Sequence, residues 1–348
     1  MRLKQISLVP LLLLLAAVVP VQAQQLDLPE EAVSDDTNVA VYMDWSALTP
    51  EALQASADAV IEKLPQQFRE QMPIEGQLDM GIAQFRQFRQ QFQEAGGKGV
   101  LMLATSQDLI EGNEPLAVVQ VEEGTDAETF QVPNQPAEFQ QLAGNWLVAV
   151  DQADRVAGGS SEQAEQLAQL LAEAQQDAAI HAAFVMTDEM KQEIQEVAQN
   201  PQEAGPAAAL LPAMEGLETA TASIQFGDGP QLRKVMNFAD EQAATQFQDA
   251  WSQMLSSAEQ MVNQQVEMLQ QQMQGQVQLP DAEQVSGLFE SMQLQQDGDQ
   301  LTLVIGDEAL GQIAEMLPAA MGVFMQMQMQ QQQMQQQQMQ QQDPPQNW

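Results

Sequence analysis

The apolar residues of this chain change period along its length, and the changes mark out its elements. Asn38 to Met43 (Asn-Val-Ala-Val-Tyr-Met) is β-branched and aromatic, which predicts a strand closing at Asp44. Thr49-Pro50-Glu51 then opens a helix, because proline suits a first turn; Leu53, Ala57, Val60, Ile61 and Leu64 follow at helical spacing until Pro65. A second helical region carries Phe68 and Met72, breaks near Pro73, and resumes through Ile82, Phe85, Phe88, Arg89 and Phe92 to Gly96-Gly97. Lys98 to Ala104 and Pro115 to Val121 are short apolar runs between turn residues and predict buried strands. Thr125-Asp126-Ala127-Glu128 reads as another helix start, and Trp146 to Val150 as a third strand of this group. Ser160-Ser161-Glu162 opens a helix bearing Ala164, Leu167, Leu170, Leu171 and Ala174.

From Ile180 the plan starts again. Ile180 to Met186 predicts a strand, and Thr187-Asp188-Glu189 opens a helix with Met190, Ile194 and Val197. After a Pro- and Ala-rich connection from Pro201 to Pro212, Thr219 to Phe226 and Leu232 to Phe238 flank Gly227-Asp228-Gly229, a hairpin signal. Asp240 to Gln274 is predicted as one helix of about 35 residues, ~50 Å long at 1.5 Å per residue. Its stripe runs through Phe247, Trp251, Met254, Ala258 and Met261, slips by one residue to Val262, and continues through Val266, Leu269 and Met273. The first part reads as core, and Val266, Leu269 and Met273 as a seam for a partner helix. Met292 to Gln296, Asp297-Gly298 and Gln300 to Ile305 form a second hairpin before a helix at Asp307-Glu308. In both hairpins Asp-Gly is followed by Gln-Leu and then by an Asp-Glu helix start, a weak internal repeat. The fold class read from this pattern is α+β: two related halves of antiparallel strands and hairpins packed with helices, plus long C-terminal helices.

The ends of the chain have a different character. Arg2 and Lys4 precede the apolar run Leu11 to Val19, then Pro20 and Val21-Gln22-Ala23, the form of a secretory signal peptide. The run falls short of the ~20 residues that cross a bilayer, so cleavage after Ala23 and no later membrane span are expected. The expected organisation is residues 1–23 signal peptide, 24–178 first half, 179–329 second half with the long helix 240–274, and 330–348 a Gln- and Met-rich low-complexity tail that frays. Export places the chain in the periplasm or outside the cell.

Charge narrows the partners. The chain holds 11 Lys and Arg against 49 Asp and Glu, and Lys234 is the last basic residue. Nucleic acid and anionic lipid surfaces repel such a chain. With no Cys and one His, no structural zinc site or disulfide framework is possible. His181 sits in a predicted strand and reads as a satisfied or exposed strand histidine; no Gly-x-Ser-x-Gly elbow, Walker loop or dinucleotide fingerprint occurs. Acid pairs such as Asp35-Asp36, Glu122-Glu123 and Asp188-Glu189 read as solvated turns and helix caps. Met325, Met327 and Met329 offer thioether sulfurs, soft ligands that suit Cu(I).

Asp36 to Asp44, the strand Gly144-Asn145-Trp146-Leu147-Val148-Ala149, and the Asp-Gly hairpins with acidic helix starts resemble an uncharacterised exported bacterial protein family carrying a domain of unknown function. The resemblance implies export and an α+β repeat, and it brings no catalytic residues. The function expected is that of an exported acidic binding or structural protein of the bacterial cell envelope, not an enzyme, without cofactor, meeting a protein partner or its own copy through the long helix. Alternative readings are Cu(I) binding through the Met-rich tail and a carboxylate-based hydrolase.

Overall fold

The apolar run Asn38 to Met43 becomes the middle of the fold. β1 (Thr37–Asp44) pairs on both sides, with β2 (Gly97–Thr105) and with β6 (Ile180–Val185), each antiparallel. The computed structural model describes residues 26–64, 69, 74–132, 137–156, 159–174, 178–198, 210–227, 229–273, 282–307 and 309–312. Around the central pair lie β3 (Leu116–Val121), β4 (Phe139–Gln141), β5 (Trp146–Ala149), β7 (Leu217–Gln225), β8 (Gln231–Phe238), β9 (Gln295–Asp297) and β10 (Gln300–Ile305). They complete a 10-stranded sheet in the order β4-β5-β3-β2-β1-β6-β7-β8-β10-β9, antiparallel throughout. The fold is mixed α+β, with a large sheet, helices on both faces, and a long helix towards the C-terminus.

The helices are α1 (Pro50–Lys63), α2 (Ile74–Glu94), α3 (Ser106–Glu111), α4 (Ser161–Glu173), α5 (Asp188–Ala198), α6 (Glu241–Met273) and α7 (Ala282–Ser291). Their starts follow the sequence chemistry. Thr49 accepts from the Ala52 amide with Pro50 in the first turn, and Ser160 accepts from the Gln163 amide. The α4 face of the sheet buries Ala40, Leu101, Val118, Trp146, Val148 and Ala183 against Leu167, Leu170 and Leu171 of α4 and against Leu28 and Val33. The opposite face carries two layers. Phe92 of α2 covers Val119, Val121 and Leu147, joined by Trp45 and Phe130. Further along, Met190 of α5 and Ala244 and Phe247 of α6 cover Ala220, Met236 and Leu301.

Four expectations change. The helix start at Thr125 makes a single turn: the Asp126 carboxylate accepts from the Glu128 amide, its carbonyl accepts from the Thr129 and Phe130 amides, and no helix follows. The strand expected over Met292 to Gln296 shrinks to Gln295–Asp297, because α6 takes its carbonyls first: the Trp251 indole donates to Met292 O at 2.8 Å and Gln248 to Leu294 O at 2.9 Å. Val150 leaves β5 to begin a 3-10 turn, Val150–Arg155. Along α1, Leu53, Ala57, Val60 and Ile61 stay half-buried, and the buried helix positions are Pro50 and Ser56. Ser56 is held inward by its hydroxyl, which accepts from the Gly227 amide at 2.7 Å and donates to Ala52 O at 2.9 Å.

Candidate functional site

Cross-strand pairing in an antiparallel sheet puts paired residues on one face, so the register reads out rows of side chains. On the face opposite α4, one row crosses the middle of the sheet: Met102, Val41, Ala182, Ala222, Lys234 and Leu303. Every member but one is apolar. Lys234 belongs to this face by the alternation of β8, in phase with Leu232, Met236 and Phe238.

Two parallel rows enclose it. Towards one end of the sheet lie Val39, Phe184, Ala220, Met236 and Leu301; towards the other lie Met43, Ile180, Ile224, Leu232 and Ile305. The helices cover this face unevenly. α5 and the first half of α6 press on the first enclosing row. α1 starts beyond the end of β1, meets the β7–β8 turn through Ser56 and Gly227, and reaches the end of β10 through Lys63, whose ammonium pairs with Asp307 at 2.6 Å. α1 therefore runs along the far end of the sheet. Between these two layers Met102, Ile180, Ala182, Phe184, Ile224, Leu232 and Ile305 remain half-buried. These half-buried apolar positions adjoin Val41, Ala222, Lys234 and Leu303, which are themselves buried.

Lys234 lies within this central row. The residue is 9% exposed, and among the described residues no carboxylate, carbonyl or hydroxyl meets its ammonium. Burial alone pulls its pKa from 10.5 down to about 7, with no neighbouring charge contributing. An ammonium carries three donors and no acceptor, and leaving it unpaired in apolar surroundings is costly. Ala222 and Ala182 follow it in the same row, both with small side chains.

A second polar group occupies the α4 face. Tyr42 donates to Gln120 Oε1 at 2.7 Å and is paired in register with His181. His181 Nε2 lies 2.9 Å from Ala178 O, while Nδ1 is buried with no partner among the described residues. Desolvation lowers the His181 pKa, against the opposing pull of the Ala178 carbonyl and of Asp44, and it raises that of Tyr42 with help from Asp44. Ser223 faces His181 across the β6–β7 pair, yet no hydrogen bond joins them. The expected strand histidine is thus half satisfied. At the other end of β1, Asn38 is fully buried and donates to Ser106 Oγ and, at 2.8 Å, to Met190 Sδ.

The residues singled out in the sequence lie elsewhere. Met325, Met327 and Met329 fall outside the described residues. Val266 is half-buried on α6; Leu269 and Met273 lie on the same helix, with side chains outside the described set. Among the described residues no group of three His, Asp or Glu is placed to hold a metal ion, and no helix is long and apolar enough to cross a membrane. Lys234 was missed. Its signal was present in Leu232-Arg233-Lys234-Val235-Met236, where alternation sets a lysine in phase with buried apolar neighbours.

No family model matches the chain, and no curated protein matches it. Among solved structures, crystal form I of TP0453 aligns at a TM-score of 0.28 and 9% identity, covering 82% of this chain and 96% of that one.

Proposed function

We propose that this chain is an exported, acidic, non-catalytic binding protein of the bacterial cell envelope, and that it binds an apolar molecule against the half-buried apolar side chains near the centre of its sheet. The observation that carries the reading is that Met102, Ala182, Ile180, Ile224 and Leu232, apolar side chains near the middle of a 10-stranded sheet, are left half-buried. Sheet centres are ordinarily sealed, and small-molecule sites are lined mainly by apolar side chains that keep some surface accessible. The basic segment and small residues at the N-terminus support export. The strand run 1-2-3-5-4 recurs as 6-7-8-10-9, which supports two related halves joined at the β1–β6 pair.

Nile red, an uncharged apolar fluorophore, tests the site. The folded chain is expected to bind it at one equivalent, and Ala182→Trp, which sets a large side chain among the half-buried apolar residues, is expected to weaken binding at least tenfold. Equal binding by the two proteins would place the dye elsewhere and sink the reading.

A second reading, self-association along α6, is favoured by Met261 and Met268, which are 55% and 54% exposed and lie two turns apart on one side of the helix.

A further inference from the structure

We infer that α1 is a strap fastened across the strand ends, which releases as a unit from its C-terminal side and so admits an apolar molecule to the half-buried side chains at that end of the sheet. Its role in entry rests on those side chains being the binding site. The path of the helix is that of a strap. α1 leaves the end of β1, its Ser56 meets Gly227 in the β7–β8 turn, and its Lys63 meets Asp307 just past β10. In the sheet order β1-β6-β7-β8-β10 this path crosses four strand spacings, ~19 Å at about 4.8 Å each. The 14 residues of α1 reach ~21 Å at 1.5 Å per residue, so its length matches the crossing.

The fastenings set α1 apart from the helices that build the core. α4 is seated by Ala164, Leu167, Leu170 and Leu171, all buried. On α1 the apolar stripe stays half-buried, and the buried helix positions are Pro50 and Ser56. Leu48 and Pro50 fix the end that leaves β1. Beyond them the holds within the helix are polar, to residues 171 and 244 positions away in the chain. Ser56 Oγ accepts from the Gly227 amide at 2.7 Å; the Lys63 ammonium donates to the Asp307 carbonyl at 2.7 Å and pairs with its carboxylate at 2.6 Å. The Lys63 and Asp307 side chains are 31% and 46% exposed, and Leu64 is buried just past the helix. Glu51 and Arg86 add an exposed pair to α2 at 3.7 Å, of the kind that contributes little. An element with few buried apolar side chains opens before the core does. The far clip can also be disturbed from outside α1, because Gly311 leaves no room for a Cβ beside the Lys63 stem. At the end of the sheet that α1 crosses lie Met43, Ile180, Ile224, Leu232 and Ile305, all half-buried.

Hydrogen exchange read by mass spectrometry on the folded chain, without ligand, tests the strap. Residues 50–63 are expected to exchange at least tenfold faster than residues 161–173 of α4. Lys63→Met removes the clip from the helix and Gly311→Ala displaces it from the other side; each is expected to speed exchange over 50–63 at least fivefold more and leave 161–173 unchanged. Equal protection of α1 and α4 in wild type overturns the strap, and that comparison needs no variant. Variants that leave 50–63 unchanged, or that speed both helices alike, overturn it too, the latter by showing α1 to open only with the core. Stopped-flow mixing with Nile red tests entry: both variants are expected to bind the dye at least threefold faster than wild type. An equal rate beside faster α1 exchange overturns the role in entry and leaves the strap. Failure of wild type to bind the dye sinks the binding site, and with it the role in entry, while exchange still decides the strap.

Discussion

A single buried cation gives this fold a pH dependence of unusual sign. In the unfolded chain Lys234 titrates near ~10.4, whereas in the fold burial pulls it down to about 7. Between those values the unfolded state holds one more proton than the native state, so stability rises with pH across that window. Below about pH 7 both states are protonated and the whole penalty is present, on the order of a few kcal/mol; near pH 10 it has faded. Lys234→Met removes the ammonium and keeps the apolar stem. Urea unfolding is expected to find the variant more stable than wild type at pH 6, with the difference shrinking by pH 10. A difference that does not vary with pH would mean that Lys234 is hydrated and unshifted. The sequence holds half of this result. Alternation along β8 placed Lys234 inward, but the absence of a counter-charge depends on β7 and β10, which arrive from opposite sides in the sheet order.

At the level of elements, what the sequence revealed depended on length and on rivals for backbone hydrogen bonds. β1, β2, β3, β6, β7, β8 and β10 were legible because each carries enough apolar or β-branched positions between turn residues. β4, with three residues, and α3, with six, are too short to establish a period, and α7, with ten, spans fewer than three turns with a glycine in the middle. β9 was misplaced because the competing donors come from α6, more than forty residues away in the chain. The same helix gives a prediction of its own. Its N-terminal half is fixed by Phe247, Trp251 and Gln248, whereas Met261 and Met268 face outward beyond that anchorage. Replacing both with Gln removes apolar surface at little cost in helix propensity. Sedimentation velocity is expected to show the wild type self-associating as its concentration rises, and Met261→Gln with Met268→Gln shifting that equilibrium at least fivefold towards monomer at unchanged melting temperature. Unchanged association would remove α6 as the contact.

For the whole molecule the dominant force outside the core is its own charge. With 49 acidic residues against 11 basic ones, and three ion pairs among the described residues, most carboxylates face other carboxylates across solvent. The sheet ends in two three-residue strands, β4 and β9, short edges that offer little for another chain to extend. Repulsion therefore acts mainly against the compact state itself. In ~0.01 M salt exposed charges interact over about 30 Å, comparable to the molecule; at ~0.1 M the reach falls to about 10 Å. Compaction brings the carboxylates closer than they are in the unfolded chain, so screening relieves the native state more. The melting temperature of the mature chain is expected to climb by several degrees between ~0.01 M and ~0.5 M sodium chloride, most steeply in the first part of that range. Because Lys234 is buried and unpaired by carboxylates, its own contribution is insensitive to salt, and Lys234→Met is expected to show the same climb. Scanning calorimetry on both proteins separates the terms: a flat salt response in both would show the surface charges to be too dispersed to matter, and a climb lost in the variant would place Lys234 among them.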